Sequence, residues 1–87
     1  MKFTNNNTSY RNWTKKDGLT IKTDYNNEKE LVSGYMTNGI KEIHIHRVKS
    51  GWGVSLVCNG KHTRSYRGLT KSEMFVKWDN KLIEFKK

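Results

Sequence analysis

The sequence predicts an α+β fold in which an antiparallel meander of four or five strands packs, on one face, against a single C-terminal helix. Three observations lead to this prediction. Apolar and polar residues alternate over several short segments, as they do in half-buried strands. Asn- and Gly-containing turn signals separate these segments. A helix-capping sequence and apolar residues at helical spacing follow the last segment.

The composition is strongly basic, with 17 Lys and Arg against 8 Asp and Glu and a net charge of +9. A chain of 87 residues forms one domain, and a domain this small buries only about 60% of its unfolded surface. The charge favours a polyanionic partner, namely nucleic acid, an anionic membrane or an acidic protein. The single cysteine cannot form an internal disulfide and excludes a Cys-based zinc site. No apolar run reaches the length of a membrane span, so we expect a cytoplasmic protein without a membrane partner.

The chain divides into a flexible N-terminal arm, residues 1–17, and a single meander-plus-helix domain, residues 18–87. The arm has neither a strand nor a helix period. Two alternatives stay open: a short extra strand, or an arm that stacks aromatic rings on bases while its cations meet phosphates. The candidate arm contacts are Tyr10, Arg11, Trp13, Lys15 and Lys16.

Residues 19–25 alternate as a strand, but residues 28–37 are ambiguous between strand and helix. Apolar residues in the latter segment have helical spacing, whereas Ser33-Gly34 lowers its helix propensity. With two-residue turns at Asn26-Asn27 and Asn38-Gly39, a strand here completes an apolar row across the sheet and places Glu30 against Arg47. We therefore interpret residues 28–37 as a strand. The predicted row is Ile21, Val32, Ile45, Leu56 and Thr63.

The stretch from Ile43 to Ser72 contains no Asp or Glu and reads as paired strands with turns at Ser50-Gly51 and Asn59-Gly60. In this register Ile45 pairs with Leu56, Val57 with His62, and Ser55 with Arg64. One face is apolar and includes Cys58 as a buried thiol. The opposite face holds His44, His46, Ser55, Val57, His62, Arg64 and Tyr66.

This basic, partly aromatic face predicts a non-enzymatic nucleic-acid-binding protein. Arginine binds phosphates in a bidentate manner, and aromatic rings on an open sheet stack on bases. An open sheet suits RNA or single-stranded DNA better than a duplex major groove. The candidate nucleic-acid-binding residues are Arg47, Lys49, Trp52, Lys61, His62, Arg64, Tyr66, Arg67 and Lys71.

The histidines suggest two other kinds of site, a metal site and a catalytic site. His44 and His46 lie about 7 Å apart along one strand face, but a metal site needs a third ligand nearby, and the predicted register supplies none. We therefore expect no metal and no cofactor. Because histidine as a residue type titrates near neutrality, two histidines also allow a His-dependent ribonuclease, although no other catalytic motif is present. This hypothesis ranks third, after nucleic-acid binding and the inhibitor described below.

The C-terminal helix begins with a capping box, Thr70-Lys71-Ser72-Glu73. Met74, Phe75, Trp78, Leu82 and Phe85 fall within an arc of about 100° and are expected to cover the apolar face of the sheet. Val76 and Ile83 lie on the opposite side of the helix. They are either ordinary exposed aliphatic residues or the contact face of a homodimer or another partner.

The order of a meander followed by one helix, together with Arg67-Gly68-Leu69-Thr70-Lys71-Ser72-Glu73 at the helix entry, resembles the Whirly, Pur-alpha and positive-coactivator group. The resemblance covers about residues 18–87. It implies single-strand binding on the sheet surface by paired repeats or dimers, with Arg47, Lys61, Arg64 and Tyr66 as the analogous surface. If residues 28–37 were helical, the order would instead look like a double-stranded-RNA-binding domain, but without the Lys-Lys and Ala pattern of that family's second helix.

Size and charge also resemble those of small phage accessory proteins that inhibit a host or defence factor. The second hypothesis is therefore an inhibitor that docks on a host protein, with or without RNA.

Overall fold

The computed structural model describes residues 8–86 and shows a six-stranded antiparallel sheet followed by one helix, which confirms the predicted α+β class. The strands lie in the sheet in chain order, so the sheet is a simple meander with the first and last strands at its edges. The elements are β1 Tyr10–Lys16, β2 Leu19–Tyr25, β3 Leu31–Thr37, β4 Lys41–Val48, β5 Gly51–Cys58, β6 Lys61–Leu69 and α1 Lys71–Phe85.

The sixth strand is β1, which lies in the segment that we predicted to be a flexible arm. It pairs with β2 along its whole length, from Tyr10 opposite Tyr25 to Lys16 opposite Leu19. Asp17 and Gly18 form the connecting turn with φ values of 56° and 78°, as a two-residue hairpin turn requires. Every residue of β1 is exposed, so the strand shows no apolar alternation. Residues 1–7 of the predicted arm lie outside the described part of the chain.

The strand prediction for residues 28–37 is confirmed for residues 31–37, which form β3, while residues 28–30 belong to the preceding loop. The predicted pairing partners were wrong. Ile21 pairs with Met36, and Ile45 pairs with Gly34 and Val54. All these registers differ from the predicted ones by an even number of residues, so each side chain keeps its predicted side of the sheet.

The turns explain these register changes. Between β4 and β5, Val48 pairs with Gly51, so the turn is at Lys49-Ser50 and the predicted turn at Ser50-Gly51 was wrong. The Asn26 carboxamide oxygen accepts hydrogen bonds from the amides of Glu28 and Glu30, both at 2.9 Å, which stabilises a loop longer than the predicted turn. The Asn38 oxygen accepts hydrogen bonds from the amides of Ile40 and Lys41 at 2.9 and 2.8 Å. Asparagine side chains therefore move both hairpin turns by binding backbone amides.

The β5–β6 hairpin contains the most consequential difference from prediction. The pairs Cys58–Lys61 and Val57–His62 form as predicted, but the register then shifts, and Leu56 pairs with Arg64. Thr63 is the extra residue of this bulge, and its hydroxyl donates a hydrogen bond to the Leu56 carbonyl oxygen at 3.2 Å. A one-residue bulge reverses the side to which the following residues point.

The core lies between α1 and the neighbouring strands β4, β5 and β6. The Thr70 hydroxyl accepts a hydrogen bond from the Glu73 amide at 3.1 Å, and the Glu73 carboxylate accepts one from the Thr70 amide at 2.8 Å. These two contacts confirm the predicted capping box. Met74 and Phe85 are buried against the sheet, while Val76 and Ile83 are exposed. The buried apolar cluster consists of Leu19, Met36, Ile43, Ile45, Trp52, Val54, Met74 and Phe85.

A pair of glycine substitutions tests how tightly β5 and β6 approach each other. Gly51 has φ 138°, and a Cβ there would lie 2.5 Å from the Leu69 carbonyl oxygen, whereas Gly39 has φ 100° and a Cβ there would meet nothing within 4 Å. Both alanine variants bear the strain of a positive φ, about 1–3 kcal/mol. Gly51→Ala should lose about 1–3 kcal/mol more because a backbone atom must move. Chemical denaturation of the two variants measures the difference; equal losses would contradict the close approach.

Candidate nucleic-acid interface

The side of the sheet opposite α1, here called the open face, is not covered by any element within residues 8–86. Strand pairing places one continuous row of side chains across all six strands of this face. The row, here called the central row, consists of Trp13, Lys22, Tyr35, His44, Ser55 and Ser65. A second row, towards one end of the strands, begins with Arg11, Asp24, Ser33 and His46. A third row, towards the other end, comprises Lys15, Thr20, Thr37, Glu42, Val57 and His62.

Three flat rings lie in the central row. The Trp13 side chain is 59% exposed on the edge strand β1. The rings of Tyr35 and His44 are adjacent, with centroids 4.7 Å apart and planes inclined at 43°. Lys22 pairs with both Trp13 and Tyr35, so a lysine separates the outer ring from the inner pair along the row. Exposed rings interleaved with cations are typical of surfaces that bind single-stranded nucleic acid.

A buried carboxylate organises the cations at the β1 side of the open face. Asp24 is only 3% exposed. Its oxygens accept hydrogen bonds from the Arg11 guanidinium and the Ser33 hydroxyl, each at 2.7 Å, and the Lys22 ammonium lies 3.5 Å away. One negative charge thus holds two positive ones, and a net positive charge remains.

The environment of Asp24 sets its ionisation. Burial alone would raise the pKa of this carboxyl, but the hydrogen bonds from Ser33 and Arg11 and the charges of Lys22 and Arg11 outweigh burial. The pKa of Asp24 therefore lies below its ordinary value, and the group is ionised near neutral pH.

Each histidine of the open face has a different surrounding. His44 Nε2 lies 2.8 Å from Glu42 Oε1, and His62 Nε2 lies 2.7 Å from the Ser65 hydroxyl. Burial, followed by the charges of Arg67 and His44, lowers the pKa of His46. The expectation that no carboxylate projects to this face was wrong, because Glu42 and Asp24 both do. Residues 8–86 nevertheless contain no group of three His, Cys, Asp or Glu side chains that is arranged to hold a metal ion.

Several predicted site residues lie elsewhere. Trp52 is 6% exposed and belongs to the core, so its ring is not available for stacking. Because of the β6 bulge, Arg64 and Tyr66 point to the side of α1 instead of the open face. Arg47 lies on that same side, where its guanidinium is 3.7 Å from the Glu30 carboxylate; the predicted opposite-charge pair is confirmed.

The other predicted contacts are distributed around the molecule. His62 and Arg67 point to the open face, whereas Lys49 and Lys61 lie at strand ends and Lys71 begins the helix. Of the proposed arm contacts, Arg11, Trp13 and Lys15 share the open face, and Tyr10 and Lys16 point to the other side.

Sequence reasoning missed Lys22 and Tyr35 as members of the site. Lys22 alternates with the apolar residues of the predicted strand 19–25, whereas Tyr35 was counted among the apolar residues at helical spacing. Without β1 and the true turns, neither was connected to Trp13. The Asp17-Gly18 dipeptide was the signal that could have revealed this connection, since it is a hairpin turn sequence.

Replacement of the buried carboxylate gives a pH-dependent prediction. Asp24→Asn should destabilise the protein near pH 7 by about 1–3 kcal/mol, because charge-assisted hydrogen bonds are lost. A lowered pKa stabilises the fold above the unfolded-state value of about 3.8, and this contribution disappears as pH falls through the folded-state value. The difference between wild type and variant should therefore shrink between about pH 5 and about pH 2. Thermal melts across this range measure it; a constant difference would show that the Asp24 charge does not stabilise the fold.

Comparison with known proteins identified no relative of this chain. No helix within residues 8–86 combines the length and hydrophobicity of a membrane span. No family model matches the chain, and no curated protein and no solved structure shows significant similarity to it.

Proposed function

We propose that this protein is a small, non-enzymatic nucleic-acid-binding protein that holds single-stranded RNA or DNA on the open face of its sheet. The observation that supports this most directly is the central row, in which Trp13, Tyr35 and His44 lie in register with Lys22 on an uncovered surface. The net charge of +9 provides the long-range attraction for a polyanion.

The rings supply the contacts to bases. Neighbouring strands lie about 4.8 Å apart, so Trp13 on β1 and Tyr35 on β3 are separated by about 10 Å across the sheet. Each base that stacks on an aromatic side chain contributes about 1–3 kcal/mol, largely independent of its identity. The open face is therefore suited to binding without strong sequence preference.

The cations supply the contacts to phosphates. Arg11 and Lys22 converge on Asp24, which fixes their positions, while Lys15 and Arg67 lie towards the β1 and β6 edges of the open face. Lys49 lies in the turn between β4 and β5, and Lys61 begins β6 beyond the other end of β5. Each can contact a phosphate of a nucleic-acid strand that extends beyond the open face. Such contacts depend steeply on salt, because every neutralised phosphate releases counterions.

The shape of the face favours a single strand over a duplex. A major groove of about 12 Å admits one helix or a two-stranded ribbon, whereas this face is six strands wide. Stacking on Trp13 or Tyr35 also requires a base whose flat surface is accessible, and in a duplex that surface is covered by its neighbours.

Removal of both rings tests the proposal. Trp13→Thr/Tyr35→Thr keeps strand-forming residues but should weaken the binding of a labelled single strand at least about tenfold, since two stacking contacts are lost. Fluorescence anisotropy with single-stranded RNA, single-stranded DNA and duplex DNA measures the affinities. The matched control is Tyr10→Thr/Tyr25→Thr, which removes a pair of rings from the other side of the β1–β2 hairpin and should bind as wild type does.

Salt dependence provides an independent measurement. Between about 50 and about 200 mM salt, log Kd for a single strand should rise with a slope of about 0.7 per contacted phosphate. Arg67→Gln should weaken binding and reduce the slope by about 0.7, the contribution of one phosphate contact. Lys86→Gln, at the C-terminal end of α1, should leave the slope unchanged.

Contrary outcomes point to the other hypotheses. Equal binding by both ring variants would show that the attraction is only that of a basic protein. A partner protein, with Val76 and Ile83 as its contact residues, would then become the leading hypothesis. Shortening of the labelled RNA during the titration, abolished by His44→Ala or His62→Ala, would indicate the ribonuclease.

A further inference from the structure

The groove between β6 and α1, on the side away from the open face, contains a second group of cations. Arg64 and Tyr66 come from β6 and reach this side because of the Thr63 bulge. A cavity of about 220 Å³ lies beside Tyr66. Its lining consists of Leu56, Tyr66, Lys77, Asn80, Lys81 and Glu84.

Tyr66 is the centre of this group. The Lys77 ammonium lies 3.9 Å from the centroid of its ring, and the Arg64 guanidinium carbon lies 5.9 Å from it. The Arg64 guanidinium also donates a hydrogen bond to the Tyr66 oxygen at 3.3 Å. Because the phenol oxygen accepts this bond, its own O–H stays available as a donor.

The cations strengthen that donor. The hydrogen bond from Arg64 lowers the pKa of the Tyr66 phenol, burial opposes it, and the charges of Arg64, Lys77 and Lys81 add to the lowering. A more acidic phenol donates a stronger hydrogen bond to an anion.

Charge in the groove is not balanced by protein carboxylates. Lys81 lies 2.9 Å from Glu84, and Glu84 also binds Lys41 at 3.1 Å. Within residues 8–86, neither Arg64 nor Lys77 has a carboxylate within ion-pair distance. Glu84, the carboxylate in the lining, is thus shared by Lys81 and Lys41. Arg64 and Lys77 keep a net positive charge beside the Tyr66 phenol, and a bound anion would relieve their repulsion.

We propose that this groove is a binding site for a phosphate monoester group. Such a group carries close to two negative charges near neutral pH, which matches the charges of Arg64 and Lys77. The guanidinium offers paired donors to phosphate oxygens, the ammonium adds a point charge, and the Tyr66 hydroxyl and the Asn80 amide supply further donors. The group comes either from a small phosphate ester or from the terminal phosphate of a nucleic-acid strand.

The site is distinct from the open face and does not rest on the function proposed for that face. Arg64 pairs with Leu56 on the α1 side, whereas Ser65, the next residue of β6, pairs with Ser55 of the central row. The side chains of these two adjacent residues of the edge strand thus point to opposite sides of the sheet.

Nuclear magnetic resonance titration with methyl phosphate tests the site. We expect saturable shifts of the Arg64 side-chain N–H and of the backbone amides of Tyr66 and Lys77. Dimethyl phosphate, which carries a single charge, should bind at least about tenfold more weakly. Sodium chloride at the same ionic strength should produce no saturable change. Equal responses to the three titrants, or shifts spread over all basic residues, would overturn the proposal.

Two variants of equal net charge provide the control. Arg64→Gln/Lys77→Gln should lose methyl phosphate binding by at least about tenfold, whereas Lys16→Gln/Lys29→Gln should retain it. Both pairs remove two exposed or partly exposed cations, so a well-dispersed amide spectrum is expected for each. Retained binding in the first variant would overturn the assignment.

The source of the phosphate and the function of the open face are separated by two further titrations. Preference for a 5′-phosphorylated oligonucleotide over its unphosphorylated form, lost in Arg64→Gln/Lys77→Gln, supports a strand end; equal affinity for the two, with methyl phosphate still bound, supports a small ester. Trp13→Thr/Tyr35→Thr should bind methyl phosphate as wild type does. Loss of methyl phosphate binding in that variant would overturn the independence of the two sites.

Discussion

A single short helix, α1, must cover the apolar side of a six-stranded sheet. A helix of 15 residues is about 22 Å long, and α1 packs mainly on β4, β5 and β6. Met74 and Phe85 are buried in one apolar cluster with Ile43, Ile45 and Val54, and Leu19 and Met36 extend this cluster to β2 and β3. Since the one helix is committed to that side, the other side of the sheet stays uncovered and free to bind.

The edge strand β1, which is exposed at every residue, is held by polar contacts instead. Asp24 joins three strands, because it accepts hydrogen bonds from Arg11 on β1 and Ser33 on β3 while lying on β2. A buried carboxylate is costly unless all its oxygens are satisfied, and here two hydrogen bonds and a nearby ammonium satisfy them. The same contacts fix Arg11 and Lys22 on the open face. Structural stability and the arrangement of the cations at the candidate site thus arise from one group.

The sequence contained enough information to predict the fold class, but not to predict the side of the sheet to which each side chain of β6 points. Alternation and the Thr70 capping box determine which elements form, and even-numbered errors of register at Asn26 and Asn38 left the apolar side correct. The Thr63 bulge carries no such signal, because no glycine or turn sequence marks it, and it moved Arg64 and Tyr66 across the sheet. Trp52 was misplaced for a different reason: strand periodicity put it in line with Val54 and Leu56, and its aromatic character was given more weight than its position. Trp13 was found only as part of an arm, since β1 is exposed on both sides and lacks the apolar pattern from which strands are recognised.

The bulge also determines which basic residues of β6 lie on each side of the sheet. An unbroken β6 would have placed Arg64 and Tyr66 beside His62 on the open face and would have turned Arg67 to the side of α1. With the bulge, β6 presents Arg67 to one side and Arg64 to the other, while β1 presents Arg11 and Lys15 at the opposite edge. Both unpaired edges of the sheet are therefore basic, and like charges disfavour edge-to-edge pairing between copies of the chain. On the proposed function the same edges would attract a polyanion from either side, so a placement that disfavours edge-to-edge pairing would also favour the binding of phosphates.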